Sequence, residues 1–391
     1  MNLHEFQAKE MLARRGVPVP MGEVAWTPEE AARVAREIAA PRFAVKAQIL
    51  AGGRGEAEGV RLAATSDAVR EIAAQMLGSK LVTAQTGPQG RTVRRVYVEE
   101  AVASERDLYL AVIVDRLEGR LLLIGAREGG QDIEARIARR PESLERLPLK
   151  ASSLPAAEEL GVFTERLGLN GRLGDEATAL CRALVEAFFE LDASLIEISP
   201  LAVRRAGGLV ALDVKMTIDD NALFRHPDLQ ALRDEEESDP VELEAQRHDL
   251  NFVRMDGDIG VVVNGAGLAL ATHDMLVDAG GRPANFMDIR TTAMSLQIAR
   301  GVGLLLADPM VRAILVNIHG GGMTRCDTIV EAIHVARRWS GRNVPMVVRL
   351  AGQNADYART MLADRQIPHE TAADMAEAVL RAVALAKGGR A

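Results

Sequence analysis

Two textures of apolar spacing divide the chain. In the first, strand-like and helix-like stretches mix irregularly. Residues 3–15 carry helical spacing that ends at Gly16. The stretch VPVPMGEVAW is too rich in proline for a helix. TPEEAARVAREIA opens with Thr27 before Pro28, a helix start by both the N-cap and the first-turn preference. FAVKAQIL, RRVYVEEAV and the two halves of DLYLAVIVDRLEGRLLLIGA, joined at LEGR, have strand patterning. EATALCRALVEAFFELDA predicts a helix, and SLIEISPLAV with LVALDVKMT predicts a hairpin across RRAGG. This part reads as an α+β region with antiparallel strands.

HPDLQALRDEEESDPVELEAQRHDL breaks that texture. It is charged and proline-bearing, and predicts a crossing between domains with some helix in it. Beyond it, near-continuous apolar strands alternate with helix-patterned stretches: IGVVVN, PANFMDI, VRAILVNIH, VPMVVRLA and IPHET. Such alternation implies a parallel sheet covered on both faces. The expected domains are 1–238 and 239–391. Ligands of open parallel sheets sit outside the carboxyl ends of the strands. Those ends carry Asn264-Gly265-Ala266-Gly267, Asp288 to Thr292, His319-Gly320-Gly321-Gly322 and Ala351-Gly352-Gln353-Asn354. One such loop is an ordinary glycine turn; four on one edge point to a binding site.

Composition narrows the class. The chain has 391 residues, 48% apolar and 26% charged, so it is globular and large enough for sizeable cores. Two cysteines, Cys181 and Cys326, argue against a disulfide framework and fit a reducing compartment. A net charge of −8 argues against a nucleic-acid partner. MNLHEFQAKEMLARRG lacks the apolar core of a signal peptide, and no run approaches the ~18 apolar residues of a membrane helix. The expectation is a cytoplasmic protein without membrane or nucleic-acid partners.

The candidate chemistry starts at FAVKAQILAGGRGEAEG. An apolar strand delivers Lys46, and Gly52-Gly53-Arg54-Gly55 follows. Glycines let backbone N–H groups approach an anion closely. The Gly-Lys-Ser/Thr ending of a P-loop is missing. Lys46 in isolation reads as an exposed strand lysine, but its neighbours look buried. HGGG after VRAILVNI suggests an esterase oxyanion hole, yet no G-x-S-x-G elbow accompanies it.

MNLHEFQAKEML, VKAQILAGGRG, VYVEEAV, IEISPL, ALDVKMTIDDNALFRHPDL, GVVVNGAGLALAT and VRAILVNIHGGGMTRCD together resemble the β subunit of succinyl-CoA synthetase, a family that includes the large subunit of malate–CoA ligase. The resemblance runs in order over nearly the whole chain. It implies an N-terminal ATP-grasp domain and a C-terminal flavodoxin-like domain, matching the two textures. It implies that ATP is held between two antiparallel-sheet lobes, with Lys46 on phosphate and Gly53, Arg54 and Gly55 in a covering loop. A compact ammonium and a planar guanidinium suit phosphate oxygens. Glu99, the backbone of Val102, and Asp107, where the family usually has glutamate, would complete the nucleotide site. Asp213 and Ser199, the latter in place of the usual asparagine, would hold Mg²⁺. Glu197 would orient a histidine that shuttles phosphate.

By the same resemblance, that histidine and most of the CoA site lie on a separate α-type subunit. Of the seven histidines here, only His319 lies at a strand's carboxyl end beside glycines, where the family commonly has phenylalanine. The small carboxylate substrate would meet Asn264 and the turn Gly321, Gly322, Met323. Two departures fall on that edge. Arg290, Thr291 and Thr292 replace a triple glycine at the entry to a helix, and HGGGMTRCD has an extra residue before RCD. They imply a carboxylate more polar than succinate, such as malate; the bland alternative is that the threonines only cap the helix. Pro20 is like the ATP-using members. Two other readings are an ATP-grasp ligase acting alone and a non-catalytic nucleotide-binding or regulatory subunit. The flavodoxin-like domain weighs against the first, and retained Lys46, Glu197 and Asp213 against the second.

Overall fold

The computed structural model describes residues 1–130, 133–150 and 153–388. They form two units, Met1–Glu237 and Ser238–Ala391. The first contains β1 (Asn2–Leu3), β2 (Gly22–Ala25), β3 (Phe43–Ala47), β4 (Val60–Ala63), β5 (Lys80–Leu81), β6 (Arg91–Thr92), β7 (Val96–Glu100), β8 (Ser104–Asp115), β9 (Arg120–Ala126), β10 (Glu145–Leu149), β11 (Ala193–Arg204), β12 (Leu209–Ala211) and β13 (Val214–Ile218). A four-stranded sheet has the order β2-β7-β3-β4. A seven-stranded sheet runs β1-β13-β11-β8-β9-β10 with β12 beside β11, and β5 pairs with β6.

The helix expected after Thr27 spans Pro28–Ile38, and the Thr27 hydroxyl accepts from Glu30 N–H at 3.2 Å. Its stripe of Ala31, Val34 and Ala35 packs in one core with Phe43, Val45 and Ala47 of β3. The helix Gly171–Glu190 buries Leu180, Leu184 and Phe188 in a second core with Leu108, Leu110, Ile196 and Ile198. These last four are alternate residues of β8 and β11, the period-two face of each strand. The first helix is Glu5–Ala13, shorter at both ends than its spacing suggests.

One arm of the expected hairpin is not continuous. β12 pairs with β11 over Leu201–Val203 and β13 pairs over Ala193–Ile198, leaving Leu212 and Asp213 outside the ladder. The break lies opposite Ser199 and Pro200. There the register of β11 on β8 also shifts, and Pro200 has no N–H to give. Ser199 N–H instead donates to Asp213 C=O at 3.1 Å, and Leu212 N–H to Pro200 C=O at 3.0 Å.

The second unit holds β14 (Asn251–Arg254), β15 (Ile259–Asn264), β16 (Asn285–Ile289), β17 (Ala313–Gly320), β18 (Met346–Gly352) and β19 (Glu370–Thr371) in the order β14-β16-β15-β17-β18-β19. From β16 to β19 the sheet is parallel, with the second-first-third-fourth-fifth order of flavodoxin-like folds. β14 adds an antiparallel edge that the apolar pattern does not reveal, since only Phe252 of its four residues is buried. IPHET contributes only two strand residues. In β17, Ile314 to Ile318 are all buried and His319 is exposed. Gly352 has φ +85°, and a Cβ there would lie 2.0 Å from Gly320 O, so glycine alone lets β18 leave the sheet. Among the described residues, no helix is long and apolar enough to cross a membrane.

Candidate functional site

In the first unit, Lys46 on β3 lies opposite Tyr97 on β7, which brings Glu99 within reach. Lys46 Nζ lies 2.8 Å from Glu5 Oε1, 2.7 Å from Glu99 Oε1 and 2.6 Å from Leu212 O. The helix Glu5–Ala13 adds a second lysine on the same partners. Lys9 Nζ lies 2.8 Å from Glu5 Oε1, 2.5 Å from Glu99 Oε2 and 2.7 Å from Leu212 O. Both lysines and both glutamates are buried. Burial opposes the charge on Lys46, but Glu5, Glu99 and Asp213 hold its pKa well above the usual lysine range. Burial likewise opposes ionisation of Glu5, and Lys46, Lys9 and Arg54 overcome it, keeping its carboxyl well below the ordinary range.

Arg54 completes the cluster from the glycine loop. Gly53 has φ +75°, and the loop closes on itself through Gly59 N–H to Arg54 C=O at 2.7 Å. The guanidinium donates to Ala47 O at 2.8 Å, Glu5 Oε2 at 2.8 Å and Asp213 Oδ1 at 3.0 Å. Three cations, Lys9, Lys46 and Arg54, thus meet three carboxylates, Glu5, Glu99 and Asp213. Gly55 follows Arg54 in the same loop, and Val102 lies in the connection from β7 to β8. Asp107, on β8, has one buried carboxylate oxygen without a hydrogen-bond partner.

Asp213 and Ser199 are neighbours through the bond that closes the break in the hairpin. The Ser199 hydroxyl faces Gly130, accepting from its N–H at 3.2 Å. Among the described residues, no group of three or more His, Cys, Asp or Glu side chains could hold a metal. One carboxylate and one hydroxyl still fit Mg²⁺, which keeps waters and takes its remaining oxygens from phosphates. That the Asp213 carboxylate already faces a cation, the Arg54 guanidinium, supports the fit. Glu197 projects from β11 and accepts from the Tyr109 hydroxyl at 3.2 Å.

The second unit gathers its glycine-rich ends at the switch between β15 and β17. Asn264 Nδ2 donates to His319 O and His319 N–H donates to Asn264 Oδ1, both at 2.9 Å. The turn Gly321, Gly322, Met323 is closed by reciprocal bonds between Gly321 and Thr324 at 3.1 Å, and Gly322 takes φ +56°. Arg290, Thr291 and Thr292 are exposed. They do not cap the helix Ser295–Ala307; its N-cap is Met294, whose N–H is taken by the Gln297 side chain at 3.0 Å. Arg290 donates to Asn251 Oδ1 at 3.1 Å, so the unforeseen edge strand steadies it. Arg290, Thr291, Met323 and Arg325 line one small cleft, which brings the two departures in the sequence together.

Residues 2–203 match the ATP-grasp domain family and residues 262–388 the CoA-ligase family. The succinate–CoA ligase [ADP-forming] subunit β of Burkholderia multivorans is 44% identical over 388 residues, covering 99% of this chain and 100% of the relative. That of Acidiphilium cryptum is 45% identical over 402 residues, covering 99% of each. This chain belongs to the family of ADP-forming succinate–CoA ligase β subunits. The ATP citrate lyase of Methanothrix soehngenii, solved with citrate and coenzyme A, has the same fold at 16% identity, with a TM-score of 0.72 and 99% of each chain covered.

Within this ligase fold, the structure brings buried Lys46, Arg54 and Glu99 into one cluster with Asp213 at its half-exposed rim. It adds Glu5, Lys9 and the Leu212 carbonyl, which sequence reading missed. Glu5 and Lys9 stand four apart on a helix with glutamate first, a spacing that suggests an exposed surface pair. Only the sheet packed over the helix shows that the pair is interior.

Proposed function

We propose that this chain is the nucleotide-binding β subunit of an ADP-forming acid–CoA ligase. ATP donates its γ-phosphoryl group to a histidine nitrogen on an α-type subunit, and ADP leaves. A carboxylate oxygen then takes the phosphoryl group, giving an acyl phosphate and freeing the histidine. The thiol of CoA, bound mainly by the α-type subunit, attacks the acyl carbon and phosphate departs. Each step replaces one hard condensation with an easier displacement.

In this reading Lys46 and Arg54 turn to the phosphates, Glu99, Val102 and Asp107 belong to the nucleotide site, and Asp213 with Ser199 holds Mg²⁺. The metal supplies charge neutralisation at the transferring phosphoryl group. Glu197 orients the partner's histidine. Asn264, Gly321, Gly322 and Met323 hold the carboxylate, and Arg290, Thr291 and Thr292 select a small polar dicarboxylate such as malate. The observation that carries the reading is the meeting of Lys46, Arg54 and Asp213 in the ATP-grasp unit. The cytoplasm is the expected location.

Reconstitution tests it. The chain alone should show no acid–CoA ligase activity with ATP, Mg²⁺ and CoA, and an α-type partner should confer it. Full activity of the chain alone overturns the reading.

A further inference from the structure

Two lysines with the same three partners are redundant for holding two glutamates. Lys46 alone reaches Glu5, Glu99 and Leu212 O, and so does Lys9 alone. The two differ in where they sit. The Lys9 side chain is 1% exposed and lies with Nζ 5.2 Å from the Tyr97 ring centroid. Lys46 and Arg54 are 8% and 9% exposed, on a strand end and a glycine loop.

We propose that Lys9 is the counter-ion that stays with Glu5 and Glu99 when Lys46 and Arg54 turn to the phosphates of a nucleotide. It is a positioning residue, and the proposal rests on the nucleotide reading above. Charge counting carries it. In the structure, Lys9, Lys46 and Arg54 balance Glu5, Glu99 and Asp213. When Lys46 and Arg54 move to phosphate and Asp213 to the metal, Glu5 and Glu99 keep one cation, Lys9. Without it, two buried carboxylates would keep none, and they would compete with the phosphates for Lys46. The other polar or titratable groups around the pair are Gln48, which donates to Glu5 Oε2 at 3.3 Å, the Tyr97 hydroxyl, and more distantly His4 and Glu10. None of these supplies a replacement cation: burial lowers the pKa of His4, which is already engaged by Asp234 at 2.8 Å.

The test is calorimetric titration of the full chain with Mg²⁺ and a non-hydrolysable ATP analogue. Lys9→Met should bind on the order of 10- to 100-fold more weakly than the wild type. Lys9→Arg should recover most of that loss. The double variant Lys9→Met/Glu5→Gln should also recover it, because removing one anion with the cation restores the charge count. A merely structural lysine would lower the melting temperature of the chain without changing the affinity of its folded fraction for the analogue. Wild-type affinity in Lys9→Met, or a loss that neither Lys9→Arg nor the double variant repairs, overturns the role of Lys9 alone. A wild-type chain that binds no analogue overturns the nucleotide reading as well. Should Lys9→Met fail to fold, the double variant decides: near-wild-type binding supports the proposal, and weak binding by the folded variant or a second folding failure overturns it.

Discussion

The Arg54 guanidinium lies 3.0 Å from the Asp213 carboxylate, so the cation of the glycine loop rests on the residue assigned to the metal. The same guanidinium reaches Glu5 at 2.8 Å. In the proposed reading, phosphate and metal would separate an existing ion pair, and each would gain the member of opposite charge. Arg54 is already largely desolvated while Asp213 stays half-exposed, which would suit a reaction whose catalysis is mostly placement and charge stabilisation.

Lys46→Ala and Asp213→Ala should each reduce phosphoryl transfer to the α-type partner by about 10²–10³. Ser199→Ala should cost less, since water can replace a hydroxyl at Mg²⁺. Single-turnover transfer from ATP, with thermal melts to confirm folding, measures all three. Full transfer by Lys46→Ala would contradict the phosphate assignment.

These three positions show how much was readable without a structure. The β-α alternation after residue 258 gave the parallel sheet, because strands buried on both faces are continuously apolar. Lys46 and Asp213 could be placed through resemblance. The unforeseen partners of Lys46 could not, because Glu5 and Leu212 O come from a helix and a strand break distant from it in sequence. The break itself follows from Pro200 on the facing strand, a cue visible only once the strands are paired. β14 escaped notice because a four-residue edge strand with one buried side chain has no period to detect.

Glu5→Gln should lower stability most at neutral pH. The folded-state pKa of Glu5 is depressed by Lys46, Lys9 and Arg54, against the burial that would raise it. Such a group contributes fully above its unfolded value of about 4.3 and loses the contribution as pH falls through the depressed one. Breaking a buried ion cluster by removing one partner costs about 3–5 kcal/mol. Melts at pH 7 should show that loss, and the gap from wild type should narrow toward pH 3. A gap that widens on acidification would contradict the assignment.

The choice of carboxylate should follow the cleft shared by Arg290, Thr291, Met323 and Arg325. Arg290 and Thr291 are exposed in the structure, so the penalty of about 1–3 kcal/mol for a donor left without an acceptor, roughly 10- to 200-fold against the simpler acid, would apply only where the bound acid and the partner subunit exclude water from them. In a panel with the reconstituted pair, malate or another small polar dicarboxylate should give a higher kcat/KM than succinate. Thr291→Gly should narrow the difference. Succinate giving the highest kcat/KM would defeat this prediction and leave the ligase assignment standing.

The central claim is that this chain holds the nucleotide while its partner carries the phosphate. The direct measurement is transfer of label from γ-labelled ATP in the mixed subunits, followed by separation of the chains and acid treatment. The account predicts acid-labile phosphate on the α-type partner and none retained on this chain. Stable label on this chain would contradict it.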